Sequence, residues 1–189
     1  MSRWLCLLLL VCANAYATPS EEAASLDAPH GLVEQLQEAR HDVTDRTQEL
    51  VATAMGFVGV PYRRGGSSAE RGFDCSGLVR AAYERAMGLV LPRRAKDQAK
   101  ATEVIDKNDL QPGDLVFFNT MRRAFSHVGI YLGDGKFIHS PRTGERVRVE
   151  SMQTAYWKRR FNGARRVSAD DDAAGPAPAA AAAADAAVR

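Results

Sequence analysis

One cysteine stands where a thiol could act as a nucleophile. Cys75 lies in the segment Gly72–Leu78, between a glycine-bearing loop and an apolar repeat of helical spacing. The repeat predicts a helix that begins at or just before Cys75 and is capped by Gly88. Unpaired N–H groups and the helix dipole favour an anion there, so we expect the thiol pKa to fall and the same groups to stabilise an oxyanion. The alternative is a small apolar cysteine packed inward at a helix start.

Two histidines are candidates for the base that such a thiol needs. A three-residue hairpin loop at 133–135 would place His139 opposite Gly129, so that His127 becomes its diagonal neighbour on the same face of the sheet. A two-residue loop would reverse the parity and turn the two rings to opposite faces. The three-residue loop predicts a triad in which Cys75 is the nucleophile, His127 the base and later the acid, and His139 the group that orients His127.

The same residue types could also hold a metal ion. One cysteine and two histidines supply three ligands, the cysteine is remote in sequence, and no C-x-x-C or H-x-x-x-H spacing accompanies them. We therefore expect neither a metal nor another cofactor at this site.

Cysteine usage supports a reactive role for Cys75. The chain has three cysteines, and two of them, Cys6 and Cys12, lie in the N-terminal apolar segment. An exported protein that used cysteines for structure would normally retain an even number to pair. The single cysteine that remains is therefore interpreted as a reactive or catalytic thiol.

Residues 1–17 have the pattern of a cleavable signal peptide. Arg3 precedes the apolar run 4–12, and Ala15-Tyr16-Ala17 has the spacing of small residues that signal peptidase requires. The run is too short for a membrane-spanning helix, which needs about 20 residues. Val11 disfavours lipid attachment at Cys12. We expect an exported protein, periplasmic or secreted, without a membrane span after cleavage.

Three further segments follow the signal peptide. Residues 18–44 are expected to form a linker, which a short helix around Leu32 and Leu36 could interrupt. Residues 45–167 form the predicted domain, and the alanine-rich tail 168–189 is expected to be disordered. The formal net charge is +2 with scattered basic residues, so no nucleic acid is expected as a partner. We expect the domain to act as a monomer.

Periodicity predicts helices first and strands later. A helix from Asp45, with an apolar stripe from Leu50 to Val58, is ended by Pro61, and a short helix over 94–102 follows the helix at Cys75. Alternating patterns then predict five strands: Leu115–Phe118, Val128–Leu132, Lys136–Ser140, Arg146–Ser151 and Phe161–Val167. This order indicates an α+β domain in which the N-terminal helices pack on a small antiparallel sheet.

Several segments of the chain together resemble a known family. They occur in the family's order between about residues 47 and 167: Pro61–Gly66, Phe73–Val79, Leu91–Arg93, Leu110–Phe118, His127–Gly133 and Phe137–Ser140. The chain is similar to the NlpC-type cell-wall cysteine endopeptidases, a papain-like α+β family that hydrolyses peptidoglycan stem peptides. The resemblance implies the same catalytic triad as the residue spacing does.

The resemblance also implies roles for three further residues. Tyr62 would lie beside the nucleophile, where its hydroxyl could bind the substrate or the oxyanion. Asp74 and Ser76 would line the pocket for the residue on the acyl side of the cut. Local capping or packing is the alternative for all three.

The resemblance leaves the scissile bond open. Members that trim free stem peptides often carry an SH3-like domain before the catalytic one, and the space before Asp45 is too short for it. The chain is more similar to compact periplasmic members that open cross-links. The cut could fall between D-Ala and meso-diaminopimelate or between γ-D-Glu and meso-diaminopimelate. A non-catalytic peptidoglycan-binding or regulatory module is the main alternative function, and an exported toxin or an acyltransferase is a further one.

Overall fold

The computed structural model describes residues 30–168, so the expected signal peptide, residues 18–29 of the expected linker and residues 169–189 of the tail lie outside it. Within this range the helices are α1 (His30–Met55), α2 (Cys75–Met87), α3 (Ala95–Lys100) and α4 (Ala155–Lys158). The strands are β1 (Ser67–Ser68), β2 (Gly72–Phe73), β3 (Glu103–Ile105), β4 (Leu115–Phe118), β5 (His127–Gly133), β6 (Lys136–His139), β7 (Arg148–Ser151) and β8 (Phe161–Arg166). A short 3-10 helix covers Lys107–Asp109.

Six of these strands form an antiparallel sheet in the order β3-β8-β4-β5-β6-β7. Helices α1 and α2 contact each other and both contact β5. The predicted α+β class, with N-terminal helices on a small antiparallel sheet, is therefore confirmed. All five predicted strands are present in this sheet, and the edge strand β3 is an addition to it. The short strands β1 and β2, which were not predicted either, pair with each other in a separate two-stranded sheet. Val104 of β3 is 70% exposed, so this strand lacks the alternation of buried apolar and exposed polar residues by which a strand is predicted from sequence.

The sheet is covered on both faces. Along β4, Leu115 and Phe117 join the cluster under α1 and α2, whereas Val116 and Phe118 join a second cluster on the opposite face. Burial on both faces explains why β4 is an uninterrupted apolar run. The second cluster also contains Trp157 of α4, which brings this short helix next to the sheet.

Helix α1 differs from the expectation. It runs without interruption from His30 to Met55, so the expected boundary at residue 44 falls inside one helix. Its first half is solvated, with Val43 at 65% exposure, and packing begins only at Leu50. Good helix-forming residues without proline explain why the helix continues where it has no core to pack against. Because the helix ends at Met55, Val58 does not extend its buried stripe as predicted.

The β5-β6 hairpin has a different loop from the one expected. Gly133 pairs with Lys136, so the turn has two residues, Asp134 and Gly135, and the register shifts by one residue between Tyr131 and Gly133. Both turn residues have positive φ, 52° and 69°, as a type I′ turn requires. The extra residue forms a bulge that restores the parity lost with the shorter loop.

Helix α2 begins at Cys75 and ends at Met87, and Gly88 caps it in the left-handed conformation, as predicted. Among the described residues, no helix is both long and apolar enough to cross a membrane.

Candidate active site

Cys75 is held at the first position of α2 by its neighbour in the chain. Asp74 has extended backbone angles and is the N-cap, and its carboxylate accepts a hydrogen bond from the N–H of Gly77 at 2.8 Å. Gly77 has no room for a side chain, because a Cβ there would lie 2.0 Å from the carbonyl oxygen of Gly66. The start of α2 is therefore pressed against the loop that follows Tyr62, and the N–H groups of Cys75 and Ser76 have no partner within the helix.

The thiol of Cys75 is neutral in the resting site. Burial, and to a smaller extent the negative charge of Asp74, raise its pKa to about 11. Backbone N–H groups of Val128, Ser76 and Cys75 itself act in the opposite direction. The helix start thus has the predicted effect, but desolvation outweighs it, and the expectation of a lowered thiol pKa is wrong for the site without substrate.

The two predicted histidines meet directly. His127 begins β5, and its Nε2 lies 2.7 Å from Nδ1 of His139, with the two rings nearly perpendicular at 87°. Burial and the nearby His139 lower the pKa of His127 to about 3, so its imidazole is neutral. Nδ1 of His127 makes no hydrogen bond to another described residue, and His127 lines the same cleft as Cys75.

A carboxylate that sequence reasoning missed lies behind His139. Glu150 on β7 places Oε1 3.3 Å from Nε2 of His139, and its carboxylate accepts hydrogen bonds from Nε1 of Trp157 and Nε of Arg148. The contact with His139 lowers the pKa of Glu150 to about 2, with smaller contributions from the hydrogen bonds of Trp157 and Arg148. Glu150 is therefore a charged carboxylate at the end of a line that runs through both histidines.

Trp157 contacts every member of this line except the thiol. Its ring stacks on His127 at a centroid distance of 5.6 Å and 20° between planes, and it meets His139 edge to face at 5.1 Å. Its N–H donates to Glu150. Trp157 carries no signal in the sequence, because it belongs to a helix of four residues that periodicity cannot reveal.

Tyr62 lines the same cleft as Cys75 and His127. Burial raises the pKa of Tyr62, and negative charge that develops on Cys75, together with that of Asp74, raises it further, so the phenol keeps its proton and can donate a hydrogen bond. Its hydroxyl makes no hydrogen bond to another described residue.

Asp74 and Ser76 also line the cleft, and Arg93 binds both. The guanidinium of Arg93 donates to Oδ1 of Asp74 at 2.9 Å, to Oδ2 at 2.7 Å and to the hydroxyl of Ser76 at 3.1 Å. Asp74 thus caps α2, which is the alternative role given for it above, and it also lines the cleft. Arg93 belongs to a segment that matched the family, but no role had been predicted for it.

The rim of the cleft is positively charged. Four exposed basic residues line it and form no ion pair with a described residue: Arg64, Arg94, Lys96 and Arg123, here called the cationic rim. The carboxylates of the cleft, by contrast, are paired with arginines. The cleft therefore favours an anionic ligand.

These groups suffice for acyl transfer through a thiol. A nucleophile, a neutral base within a hydrogen-bonded line and a phenol that can donate line one cleft, and N–H groups at the start of α2 lie beside the nucleophile. None of these groups is oxidised or reduced during acyl transfer.

Comparison with known proteins identifies relatives. The NlpC/P60 family model matches residues 59–166, which include every site residue predicted above. Murein DD-endopeptidase MepH of Escherichia coli K12 is 44% identical over 128 residues, 66% of this chain and 47% of that protein. Murein DD-endopeptidase MepS/Murein LD-carboxypeptidase of the same strain is 38% identical over 146 residues, 77% of this chain and 74% of that protein.

A solved structure is similar in fold as well as in sequence. The peptidoglycan hydrolase RipB of Mycobacterium tuberculosis aligns with a TM-score of 0.57 and 29% identity, over 67% of this chain and 67% of that one. The chain spans only about half the length of MepH, at 47%.

Proposed function

This chain belongs to the NlpC/P60 family, and from that premise we propose that it is a peptidoglycan endopeptidase of the cysteine type. It hydrolyses amide bonds in murein stem peptides or their cross-links. The observation that carries this proposal is the 2.7 Å contact between His127 and His139 at the cleft that Cys75 also lines. Two buried neutral imidazoles in series supply a base that a buried thiol requires.

The reaction begins with both partners neutral. When the scissile carbonyl lies against Cys75, the thiol proton moves to Nδ1 of His127, and the sulfur forms a bond to the carbonyl carbon. The resulting oxyanion is stabilised by N–H groups at the start of α2 and by the protonated hydroxyl of Tyr62. Proton transfer at the moment of attack avoids a buried ion pair in the resting enzyme, which desolvation disfavours.

The second half of the reaction releases both products. His127 returns its proton to the leaving amine, the carbon–nitrogen bond breaks, and a thioester with Cys75 remains. A water molecule then gives a proton to His127 and attacks the thioester. Collapse of this second intermediate breaks the carbon–sulfur bond, restores the thiol proton and releases a carboxylic acid.

The substrate we propose is a cross-linked stem peptide. Stem peptides carry free carboxylates, which the cationic rim would attract. Two relatives that match this chain over 66% and 77% of its length are named murein DD-endopeptidases, which supports the bond between D-Ala and meso-diaminopimelate. Asp74, Ser76 and the Arg93 that joins them would bind the residue on the acyl side.

The location we propose follows from the substrate. Peptidoglycan lies outside the cytoplasmic membrane, and residues 1–17 have the pattern of a cleavable signal peptide. We therefore place the mature protein in the periplasm or the medium, without a lipid anchor at Cys12. The groups of the cleft come from one chain, which supports action as a monomer.

The proposal is tested by identifying products. Residues 18–189 and the Cys75→Ala variant are incubated with defined cross-linked and uncross-linked muropeptides, and the products are analysed by mass spectrometry. We expect loss of cross-linked dimers with the first protein and none with the second. Cleavage within uncross-linked stems would move the cut to the γ-D-Glu bond. Binding to sacculi without cleavage by either protein would favour the non-catalytic module instead.

A further inference from the structure

We propose that Glu150 is a positioning residue that sets the direction of the protons on both histidines, so that His127 presents a bare Nδ1 to Cys75. The inference rests on the proposed function for its catalytic meaning. Its structural basis is independent of the substrate: a carboxylate, His139 and His127 lie in one line that ends at the cleft of Cys75.

The contact between the two histidines does not by itself choose a direction. In one arrangement, Nε2–H of His127 donates to a bare Nδ1 of His139, which leaves Nδ1 of His127 free to accept the thiol proton. In the other, Nδ1–H of His139 donates to Nε2 of His127, whose own proton then sits on Nδ1. The hydrogen bond is equally good in both, but only the first arrangement has a base.

Glu150 distinguishes these arrangements because an ionised carboxylate can only accept. In the productive arrangement, Nε2 of His139 carries a proton and faces Oε1 of Glu150 at 3.3 Å. In the other arrangement a bare nitrogen lone pair would face the negative oxygen, which is repulsive. The carboxylate thus selects the tautomer of His139, and His139 in turn selects that of His127.

The contact at 3.3 Å is an ion-pair contact and not a well-aligned hydrogen bond, since Nε2 of His139 has no partner by strict geometry among the described residues. His139 is completely buried, and a buried N–H without an acceptor is costly, so the adjacent carboxylate is what compensates it.

The surroundings of Glu150 keep it charged and in place. Trp157 donates to one carboxylate oxygen and Arg148 to the other, and Arg148 also pairs with Glu145 at 2.7 Å. Glu145 in turn pairs with Arg142 at 2.9 Å. The indole that holds Glu150 also stacks on His127, so one side chain aligns both ends of the line.

The charge of Glu150 has a second use during turnover. When His127 takes the thiol proton it becomes an imidazolium in a buried site, and Glu150 acts to raise the pKa of His127 against desolvation. His139 is neutral and therefore stabilises an imidazolium on His127 only weakly. Glu150, on the far side of His139, supplies the negative charge.

The test uses the mature chain, with Glu150→Gln as the main variant and Glu103→Gln as its matched control. Glutamine keeps the shape and can accept from Trp157, but its amide can present either an acceptor or a donor to His139. Glu103→Gln removes an exposed carboxylate from β3, at the opposite edge of the same sheet, where it does not line the cleft. For Glu150→Gln we expect kcat to fall about 10- to 100-fold with little change in KM, the range seen for outer partners of metal-ligating histidines. We expect kcat of Glu103→Gln to stay within about twofold of the original.

A spectroscopic measurement separates this inference from the proposed function. Nitrogen-15 NMR of labelled histidine reports which ring nitrogen bears the proton, and it needs neither substrate nor turnover. We expect Nε2–H on both His127 and His139 in the unmodified protein and a mixture of tautomers in Glu150→Gln. A proton on Nδ1 of His127 in the unmodified protein would overturn the inference, as would unchanged tautomers and kcat in Glu150→Gln. A chain that fails to cut peptidoglycan but shows these tautomers would refute only the proposed function.

Discussion

The two walls of the cleft are built in different ways. The helix wall comprises Tyr62, Asp74, Cys75 and Ser76, and three of these are consecutive residues at one helix start. The sheet wall comprises His127, Glu150 and Trp157, backed by the buried His139, and these four residues lie on four different elements. The nucleophile therefore depends on a local motif, whereas the base depends on the register of three neighbouring strands and on the packing of α4.

Because the two walls are built differently, a substitution in one wall should have a different kind of effect from a substitution in the other. A change in the helix wall alters a cap or a close approach and acts on one helix end. A change in the sheet wall breaks a line of buried polar groups, and each member left without its partner is costly. The walls should therefore respond differently to substitution, to pH and to salt.

The largest effect is expected from the sheet wall. Replacing His127 by Ala removes the base, and because the thiol is neutral below its raised pKa, we expect kcat to fall about 10²- to 10⁴-fold. Steady-state kinetics on cross-linked muropeptides measure this. His41→Ala, on the solvated half of α1, is the control and should retain full activity. Comparable activity in both variants would mean that the thiol needs no base from the sheet wall.

Acid should weaken the sheet wall selectively. Burial lowers the pKa of His127 to about 3 and also lowers that of His139, so their stabilising contribution is complete above about pH 6.5 and is lost as pH falls towards 3. Glu150, with a pKa lowered to about 2, adds a further loss below about pH 4.5. Urea unfolding between pH 7 and pH 4 should show a falling midpoint, and a flat profile would contradict the neutral buried pair.

The helix wall should respond at the opposite end of the pH scale. Since the pKa of Cys75 is raised to about 11, its contribution is complete below about pH 9 and is lost as pH rises towards 11. Alkylation of Cys75 by iodoacetamide should accordingly show no plateau near neutrality. A plateau below pH 7 would indicate a resting thiolate and restore the original expectation.

A smaller effect on stability is expected at the close approach of α2. Gly77→Ala places a Cβ against the carbonyl of Gly66 and should cost about 1–3 kcal/mol, as overpacking does. Gly31→Ala is the control, since nothing lies within 4 Å of a Cβ there, and it should stabilise the helix by up to about 1 kcal/mol. Urea midpoints measure both, and equal midpoints would show that the approach of helix and loop is not tight.

The smallest effect is expected from the cationic rim. Replacing its four residues by glutamine should raise KM a few-fold and reduce the dependence of KM on salt, because exposed charges contribute only about 0.2–1 kcal/mol each. The matched control replaces four exposed cations that do not line the cleft: Arg40, Arg46, Lys100 and Lys158. An equal change in KM for both sets would mean that the net charge of the protein, and not the position of the cationic rim, affects KM.

The same division explains what could be predicted from the sequence. The start of α2, its cap region and the strands follow local patterns, and these predictions hold. The pairing of His127 with His139 was also foreseen, although the loop argument behind it was incomplete, because a bulge changes parity without leaving a trace in hydropathy.

Glu150 could not be foreseen for a related reason. It lies opposite Phe137, diagonal to His139, but the connection between β6 and β7 does not reveal which residues pair. The thiol pKa was misjudged because the helix start acts locally, whereas desolvation depends on the whole fold. The sequence alone therefore does not reveal how deeply the Cys75 thiol is buried or which residues of β6 and β7 pair.

The most direct test of the account is whether the substrate becomes covalently attached to Cys75. Acid quenching during turnover of cross-linked muropeptides, followed by mass spectrometry of the digested enzyme, would locate any acyl group. The account predicts an adduct on the peptide that contains Cys75 and none in the Cys75→Ala variant. An adduct on another residue, or full turnover by that variant, would contradict it.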